Sequence, residues 1–373
     1  MNYDVIVVGA GPAGSITAGV VAQAGYRVLV LEKDTSCKSS CAGYISSTID
    51  IGLPKGCIIQ SKIRKMRTYF PDSSFHDFQL NGFVVDRQSF DTALAVRAKE
   101  SGAYIRWESS LIGLIPGGVR FRGGKASGKI IVGADGVFSK VATLIGADRQ
   151  RVVSCAQYHL SGVDLLPDTC EIFFDADYAP GGYAWIYPAG EDTVKVGLGI
   201  LDYGVIKSCF TFVKQTSRSL IWMSKQHTEA GLRSAREYLD AFINESFMAE
   251  RLCGERTGYI TGALPINGLR KKLCYGNVLL VGDSAGMADP ITGAGINNAM
   301  LAGEIAGKTT INALENDDVT MLEQYETGIN RLLGRPLARS LEKRKKLDAY
   351  CTSNKLLQKH LPELWVTFRE YWE

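Results

Sequence analysis

Apolar residues fall along this chain in three rhythms. In "YDVIVVGA", Val5 to Val8 form an unbroken apolar run, the pattern of a strand covered on both faces of a parallel sheet. Runs of the same kind recur at "YRVLVLE", "GKIIVGADG" and "GNVLLVGDS". A period of two marks "KMRTYF-PDSS-FHDFQL", which reads as a hairpin about a Pro-Asp turn. Short β-like runs at "CEIFFDADY", "GYAWIYPAG" and "TVKVGLGI" suggest an antiparallel sheet over residues 151–200, and "GERTGYITGALPI" adds a returning strand. Helical spacing governs 205–250, best seen in "SAREYLDAFINESFMAERL", and returns from about 315 onward. There is no internal repeat and no low-complexity linker. The pattern predicts an α/β protein of two or three domains.

The first buried run ends in a glycine turn. Gly9, Gly11 and Gly14 hold G-x-G-x-x-G spacing between the strand and a helix. The first glycine permits the tight turn, the second lets backbone approach a pyrophosphate, and the third lets helix pack on strand. The helix N-terminus aims N–H groups at phosphate. Glu32 closes the next strand, eighteen residues after Gly14, where an acid accepts hydrogen bonds from a ribose. Strand, triplet, helix, strand and acid in register predict a Rossmann-type dinucleotide site.

Two more strands end in glycine, at Gly133-Ala134-Asp135-Gly136 and at Gly282-Asp283. Past Pro290, Gly293 and Gly295 open a helix. Three such junctions suit a long ligand gripped at several points. Asp283 suits ribityl or pyrophosphate hydroxyls, and the N–H groups of Gly295 and Ile296 suit a flavin carbonyl. A simple nicotinamide dehydrogenase has no need of this last segment. Asp135 either orders the sheet or touches the ligand.

Composition narrows the picture. The 373 residues are 46% hydrophobic, enough for ample core, and carry a net charge of +3. A balance so close to neutral gives no bulk electrostatic case for nucleic acid. No signal peptide is evident, and no apolar stretch is long enough and unbroken enough to span a bilayer. Nine scattered cysteines do not form a secreted disulfide framework, which points to a reducing cytosol.

The glycine junctions, together with "VVDRQSFDTALAVRAKESGA", resemble the FAD-dependent group that includes the aromatic hydroxylases and the geranylgeranyl reductases. The resemblance implies a Rossmann-type FAD-binding domain, an inserted antiparallel-sheet substrate domain and a helical C-terminus. The FAD-binding domain is expected over 1–60, 80–150 and 258–310, the substrate domain over 61–79 and 151–257, and the C-terminal region over 311–373. It implies FAD contacts from Ala13, Gly14 and Leu111, and from Arg87 near the phosphates or ribityl chain. The bland alternative for Arg87 is a surface arginine at a helix start. "APGGYAWIYPAGEDTVKVGLG" resembles the Tyr-x-Trp-x-Phe-Pro-x-Gly signature of the geranylgeranyl reductases, with Tyr187 in place of Phe. Tyr183, Trp185 and Tyr187 share one strand face, and with Pro188 they are expected to wall an isoprenoid cavity. The alternative is an ordinary aromatic core.

In "CKSSCAGYIS", Cys37 and Cys41 stand four apart. Metal lacks a convincing donor set, because the four histidines are scattered. A redox pair is one residue longer than C-x-x-C and lacks an evident helix start. In the geranylgeranyl reductases a Cys followed by small residues lies against the flavin. Cys41, Ala42 and Gly43 match that pattern, and Cys37 does not.

The reaction implied is reduction of an isoprenoid carbon–carbon double bond, by hydride from flavin N5 and a proton from Cys41. A thiol near its free value of about 8.5 is largely protonated and able to donate. The alternative role for Cys41 is placement of substrate or packing. Competing functions are an NAD(P)H- and O2-dependent aromatic hydroxylase and a flavoprotein electron carrier. The resemblance leaves ferredoxin, a reduced deazaflavin and NAD(P)H as electron donors for an isoprenoid lipid substrate. The basic run Arg335, Arg339, Lys343, Arg344, Lys345 and Lys346 reads as a solvated helix face, or as a contact with anionic lipid at the inner face of the cell membrane.

Overall fold

A computed structural model describes residues 2–47, 52–201 and 233–373. The helical expectation for 205–232 lies outside them. Numbering strands along the chain, the first sheet holds β1 (Asn2–Val8), β2 (Val28–Leu31), β6 (Tyr104–Arg106), β9 (Gly124–Gly133), β15 (Cys274–Tyr275) and β16 (Val278–Leu280). Their order is β15-β16-β9-β1-β2-β6, parallel from β16 to β6. A ribbon of β7 (Leu111–Ile115) and β8 (Gly118–Phe121) runs antiparallel onto β9. Val5–Val8 and Val28–Leu31 are fully buried, as continuous apolar runs require when both faces are covered. Helices α1 (Pro12–Gln23) and α5 (Ile296–Glu315) pack together against it, with α2 (Arg87–Glu100) beside α1. The short helix α3 (Lys140–Leu144) follows β9.

The second sheet takes β3 (Tyr44–Ser46), the hairpin β4 (Ile59–Tyr69) and β5 (Phe75–Val85), β10 (Val152–Ser161), β11 (Thr169–Phe173), β12 (Tyr183–Pro188), β13 (Thr193–Ile200) and β14 (Glu255–Pro265). Its order is β14-β10-β13-β12-β11-β4-β5-β3. The expected hairpin is there, with Thr68 opposite His76. All its pairs are antiparallel except β4 with β11, which is parallel. These two strands are separated by a long stretch of the first sheet's chain, so no hairpin dictates their direction. Helix α4 (Ala235–Glu245) covers the outer face of this sheet, starting from a capping box between Ser234 and Glu237.

The C-terminal helices are α6 (Gln324–Ile329), α7 (Arg335–Tyr350) and α8 (Asn354–Leu364). They clasp both sheets. Gln358 donates to Asp72 in the hairpin turn at 2.9 Å, and Asn354 donates to Asp175 at 3.1 Å. Ser340 donates to Asp289 and lies 2.8 Å from the Tyr371 hydroxyl. The basic run of α7 divides. Arg344 turns inward, 3% exposed, and donates to the Gly181 carbonyl at 2.5 Å, so it belongs to neither a solvated nor a lipid-facing surface. Arg335, Arg339, Lys345 and Lys346 are exposed.

Candidate active site

A cavity of about 460 Å³ lies between the two sheets and runs from the first glycine turn to the aromatic strand β12. Its nucleotide end is built by close backbone approach. A Cβ on Gly9 would stand 2.3 Å from the Ala134 carbonyl oxygen, and one on Gly14 would stand 2.0 Å from the Gly9 oxygen. A Cβ on Gly11 would meet nothing within 4 Å, because this glycine faces open space in the cavity. Gly11 caps α1 without any side-chain hydrogen bond, and Pro12 takes the first helical position. The helix therefore offers its first N–H groups to a bound anion. Glu32 braces the turn, its carboxylate accepting from Ala10 N–H at 2.8 Å and Asp34 N–H at 3.1 Å. Asp135 accepts from Ser139 Oγ and Val141 N–H, which makes it the organiser of α3.

Asp283 borders the cavity with no hydrogen-bond partner for its carboxylate among the described residues. Burial pushes its acid above the usual carboxylate range, partly countered by Arg87. Gly293, Gly295 and Ile296 line the same region, where Gly295 caps α5 without side-chain help. A half-buried acid without a partner among the described residues, beside an uncapped helix start, suits hydroxyl donors and a carbonyl acceptor on one ligand. Arg87 is not a surface arginine. Its side chain is 10% exposed, grips both oxygens of Asp91 at 3.0 Å, and borders the cavity.

The Cys41 loop lies across from these groups. Gly43 has φ of +89°, and a Cβ there would stand 2.4 Å from the Val85 oxygen, 3.3 Å from Arg87 Cγ and 3.4 Å from Lys195 Nζ. No other residue fits so tight a left-handed position. Gly43 N–H donates to the Cys41 sulfur at 3.4 Å. Cys41 is exposed and borders the cavity together with half-buried Ala42 and buried Gly43, while Cys37 is buried with its thiol directed to the Ala10 carbonyl. The two cysteines thus serve different neighbourhoods. Among the described residues no metal-binding cluster of His, Cys, Asp and Glu exists.

The aromatic row of β12 forms the opposite wall. Tyr183, Trp185 and Tyr187 all border the cavity, with ring centroids 6.1 and 6.4 Å apart in sequence order. Tyr183 donates to the Thr292 carbonyl at 2.5 Å, which ties the wall to the loop before α5. Trp185 donates to Gln157 at 3.0 Å. Its ring lies over Gly197, where a Cβ would come within 2.5 Å of it. The Tyr187 hydroxyl, which the substitution for Phe introduces, has no hydrogen-bond partner among the described residues and opens to the cavity. Burial pushes both phenols well up, so both are neutral.

Five expected residues stand off this cavity, two of them, Gly9 and Gly14, because close backbone packing within the turn takes up their open side. Leu111 opens β7 and packs on the core of the first sheet, in a register that no motif fixes. Pro188 ends β12 opposite Val194, and Glu32 sits against the glycine turn, accepting from Ala10 N–H. Sequence reasoning missed several cavity residues: Met66, Phe78 and Leu80 of the hairpin, Cys155, and the C-terminal Trp365, Val366 and Thr367. It also missed Lys195, 4% exposed, which donates to the Ala42 carbonyl at 2.9 Å and the Val85 carbonyl at 3.1 Å. The signal was a single charge in the apolar strand "TVKVGLGI".

The Gly11 opening, the uncapped starts of α1 and α5 and the orphaned Asp283 fit a flavin dinucleotide, and an aromatic-walled cavity adjoins them. Fold and site define an FAD-dependent oxidoreductase with the architecture of the aromatic hydroxylases. Residues 2–48 match the family model of an FAD binding domain, and residues 151–220 match that of the geranylgeranyl reductase catalytic domain. The digeranylgeranylglycerophospholipid reductase of Methanocella arvoryzae is 32% identical over 90% of this chain and 85% of its own. That of Methanosarcina acetivorans is 33% identical over 87% of this chain and 78% of its own. The chain belongs to the digeranylgeranylglycerophospholipid reductase family. A geranylgeranyl bacteriochlorophyll reductase-like protein from Thermoplasma acidophilum, 27% identical, superposes with a TM-score of 0.82 over 99% of this chain and 93% of its own. The flavin-dependent brominase Bmp2, at 17% identity and a TM-score of 0.69 over 97% of this chain and 99% of its own, shares the fold.

Proposed function

We propose that this enzyme saturates carbon–carbon double bonds in the geranylgeranyl chains of a glycerophospholipid. The observation that carries the reading is the junction of an apolar, aromatic-walled cavity with the first glycine turn and the Cys41 loop. Reduced FAD supplies a hydride when bound. Gly11, Ala13, Asp283, Arg87 and the start of α5 hold the dinucleotide, with Glu32 offering its spare lone pairs to the ribose. The aromatic row and the hairpin residues Met66, Phe78 and Leu80 exclude water and align the chain. Cys41 gives its thiol proton to the alkene carbon that does not receive the hydride, so the bond gains H⁻ and H⁺ together. An isolated alkene is weakly activated, which makes placement of both groups decisive.

Electrons come from a ferredoxin, a reduced deazaflavin or NAD(P)H, which comparative reduction rates separate. Arg335, Arg339, Lys345 and Lys346 offer an anionic membrane surface roughly 1 kcal/mol per charge. Among the described residues no helix is long and apolar enough to cross a membrane.

The deciding experiment is anaerobic. The purified enzyme is reduced, mixed with geranylgeranyl glycerophospholipid, and followed by flavin reoxidation and product mass. Reoxidation with a gain of two mass units per bond is expected. Reoxidation only in air, with a product that gains oxygen, establishes a hydroxylase instead. Cys41→Ala is expected to retain FAD and lose at least about tenfold in the reoxidation rate; full turnover would reduce Cys41 to a packing residue.

A further inference from the structure

Lys195 is a buried cation whose two hydrogen bonds go to neutral carbonyls. Among the described residues no carboxylate lies within ion-pair distance of it. Burying an unpaired charge costs several kcal/mol, and an apolar side chain of similar length would avoid that cost. The groups that face it are Cys41 from the loop, Asp86 and Arg87 from the start of α2, and its cross-strand neighbours His159 on β10 and Tyr187 on β12. Asp86 is engaged as the cap of α2, accepting from Ser89 N–H at 2.7 Å. Arg87 is engaged by Asp91. The group in this set that carries no charge at rest and becomes an anion in the proposed reaction is Cys41.

We propose that Lys195 is a positioning residue for proton transfer: it anchors the Cys41-Ala42-Gly43 loop to β13 and holds a positive charge beside the sulfur that becomes a thiolate. The inference rests on the role for Cys41 given above. In the step concerned, the S–H bond breaks, a C–H bond forms, and the electron pair stays on sulfur, facing Lys195 and Arg87. Water entering the cavity returns the proton before the next turnover. Two observations accord with this arrangement. Burial pushes the Lys195 ammonium down to about 8, against an upward pull from Cys41 and Asp86. On Arg87, the depressing effect of burial is outweighed by Cys41 and Asp91, so the net direction is upward. The geometry agrees: Gly43 N–H donates to the Cys41 sulfur at 3.4 Å, and a Cβ on the same Gly43 would stand 3.4 Å from Lys195 Nζ and 3.3 Å from Arg87 Cγ.

The test separates charge from anchorage. The purified holoenzyme is treated with iodoacetamide at pH 7, and alkylation of Cys41 is read by mass spectrometry on the tryptic peptide from Ser39 to Lys55, in which it is the sole cysteine. Exposed Cys253 serves as the internal reference. Iodoacetamide attacks the thiolate. Lys195→Gln keeps N–H donors and removes the charge, and is expected to slow Cys41 alkylation about tenfold, the effect of roughly 1.4 kcal/mol of charge stabilisation. Lys195→Arg keeps the charge and is expected to stay within about threefold of wild type. A lysine that only anchors the loop leaves this already exposed thiol reacting at the wild-type rate or faster. Alkylation of Lys195→Gln at or above the wild-type rate overturns the proposal. Flavin content and melting temperature are checked on every variant, and Lys195→Met provides a second uncharged side chain if Gln folds poorly. In anaerobic single turnover, Lys195→Gln is expected to lower the rate of reoxidation in wild type and to add nothing in a Cys41→Ala background. If wild type reduces no geranylgeranyl lipid, the proposed function fails while the alkylation comparison still reads the charge. If wild type turns over and Lys195→Gln alkylates and turns over equally well, the role of Lys195 alone fails.

Discussion

Lys195 has a consequence for stability that can be measured without substrate. Its folded-state value of about 8 lies below the ordinary lysine value of 10.5, so between these the unfolded chain binds more protons than the folded one. Stability then rises with pH over that window. The penalty is fully present below pH 8 and gone above about 10.5, and it amounts to something on the order of 3 kcal/mol. Urea unfolding of wild type and Lys195→Met at pH 7 and pH 10 checks this. Wild type is expected to gain on the variant by 1 kcal/mol or more across the interval, and a constant difference would contradict it. Tyr187 makes a second case at this scale. Its hydroxyl holds no hydrogen bond to the described protein, so Tyr187→Phe is expected to leave stability within about 0.5 kcal/mol and flavin content unchanged. A loss above 2 kcal/mol would mean that a structural partner exists.

At the scale of elements, the loop from Cys41 to Tyr44 is held from three sides, by Val85, Arg87 and Lys195. Gly43→Ala forces a Cβ to within 2.4 Å of the Val85 oxygen at a φ of +89°, which no side-chain rotation relieves. A destabilisation of about 1–3 kcal/mol and a slower reductive half-turnover are expected, measured by thermal melting and stopped-flow absorbance. Asp283→Ala is expected to weaken FAD retention, seen as a lower ratio of flavin to protein absorbance after gel filtration, with the first sheet intact by circular dichroism. Elements of this kind were legible in unequal degree. The glycine turns and the face shared by Tyr183, Trp185 and Tyr187 could be read directly, because backbone contact and strand period leave a local trace. Lys195 could not be assigned, since its partners, the Ala42 and Val85 carbonyls, lie 153 and 110 residues away. The parallel pairing of β4 with β11 was hidden for the same reason: no turn connects them. Trp365 lies in the C-terminal stretch whose spacing signals only helix, and packing against Phe174 and Tyr183, at 5.1 and 5.2 Å, reveals it as cavity wall.

At the scale of the whole molecule, the described residues form two sheets closed by a C-terminal clasp. Asp289 accepts from the N–H groups of Ile291 and Thr292 at 2.9 and 2.8 Å, shaping the loop that leads into α5. Ser340 reaches the same carboxylate from α7, and Tyr371 reaches Ser340. Tyr183 meets the Thr292 carbonyl from the second sheet. The chain of contacts from Tyr371 to Tyr183 therefore runs through the loop that would receive the flavin. During synthesis this has a consequence for timing. The first sheet receives its last strand when Leu280 emerges, yet the loop is braced only after residues 340 and 371 have followed. A ribosome-bound chain can shape the phosphate turn early, but the loop beside that turn gains its braces only once residues 340 and 371 have emerged, so the pocket is completed later than the sheet that frames it.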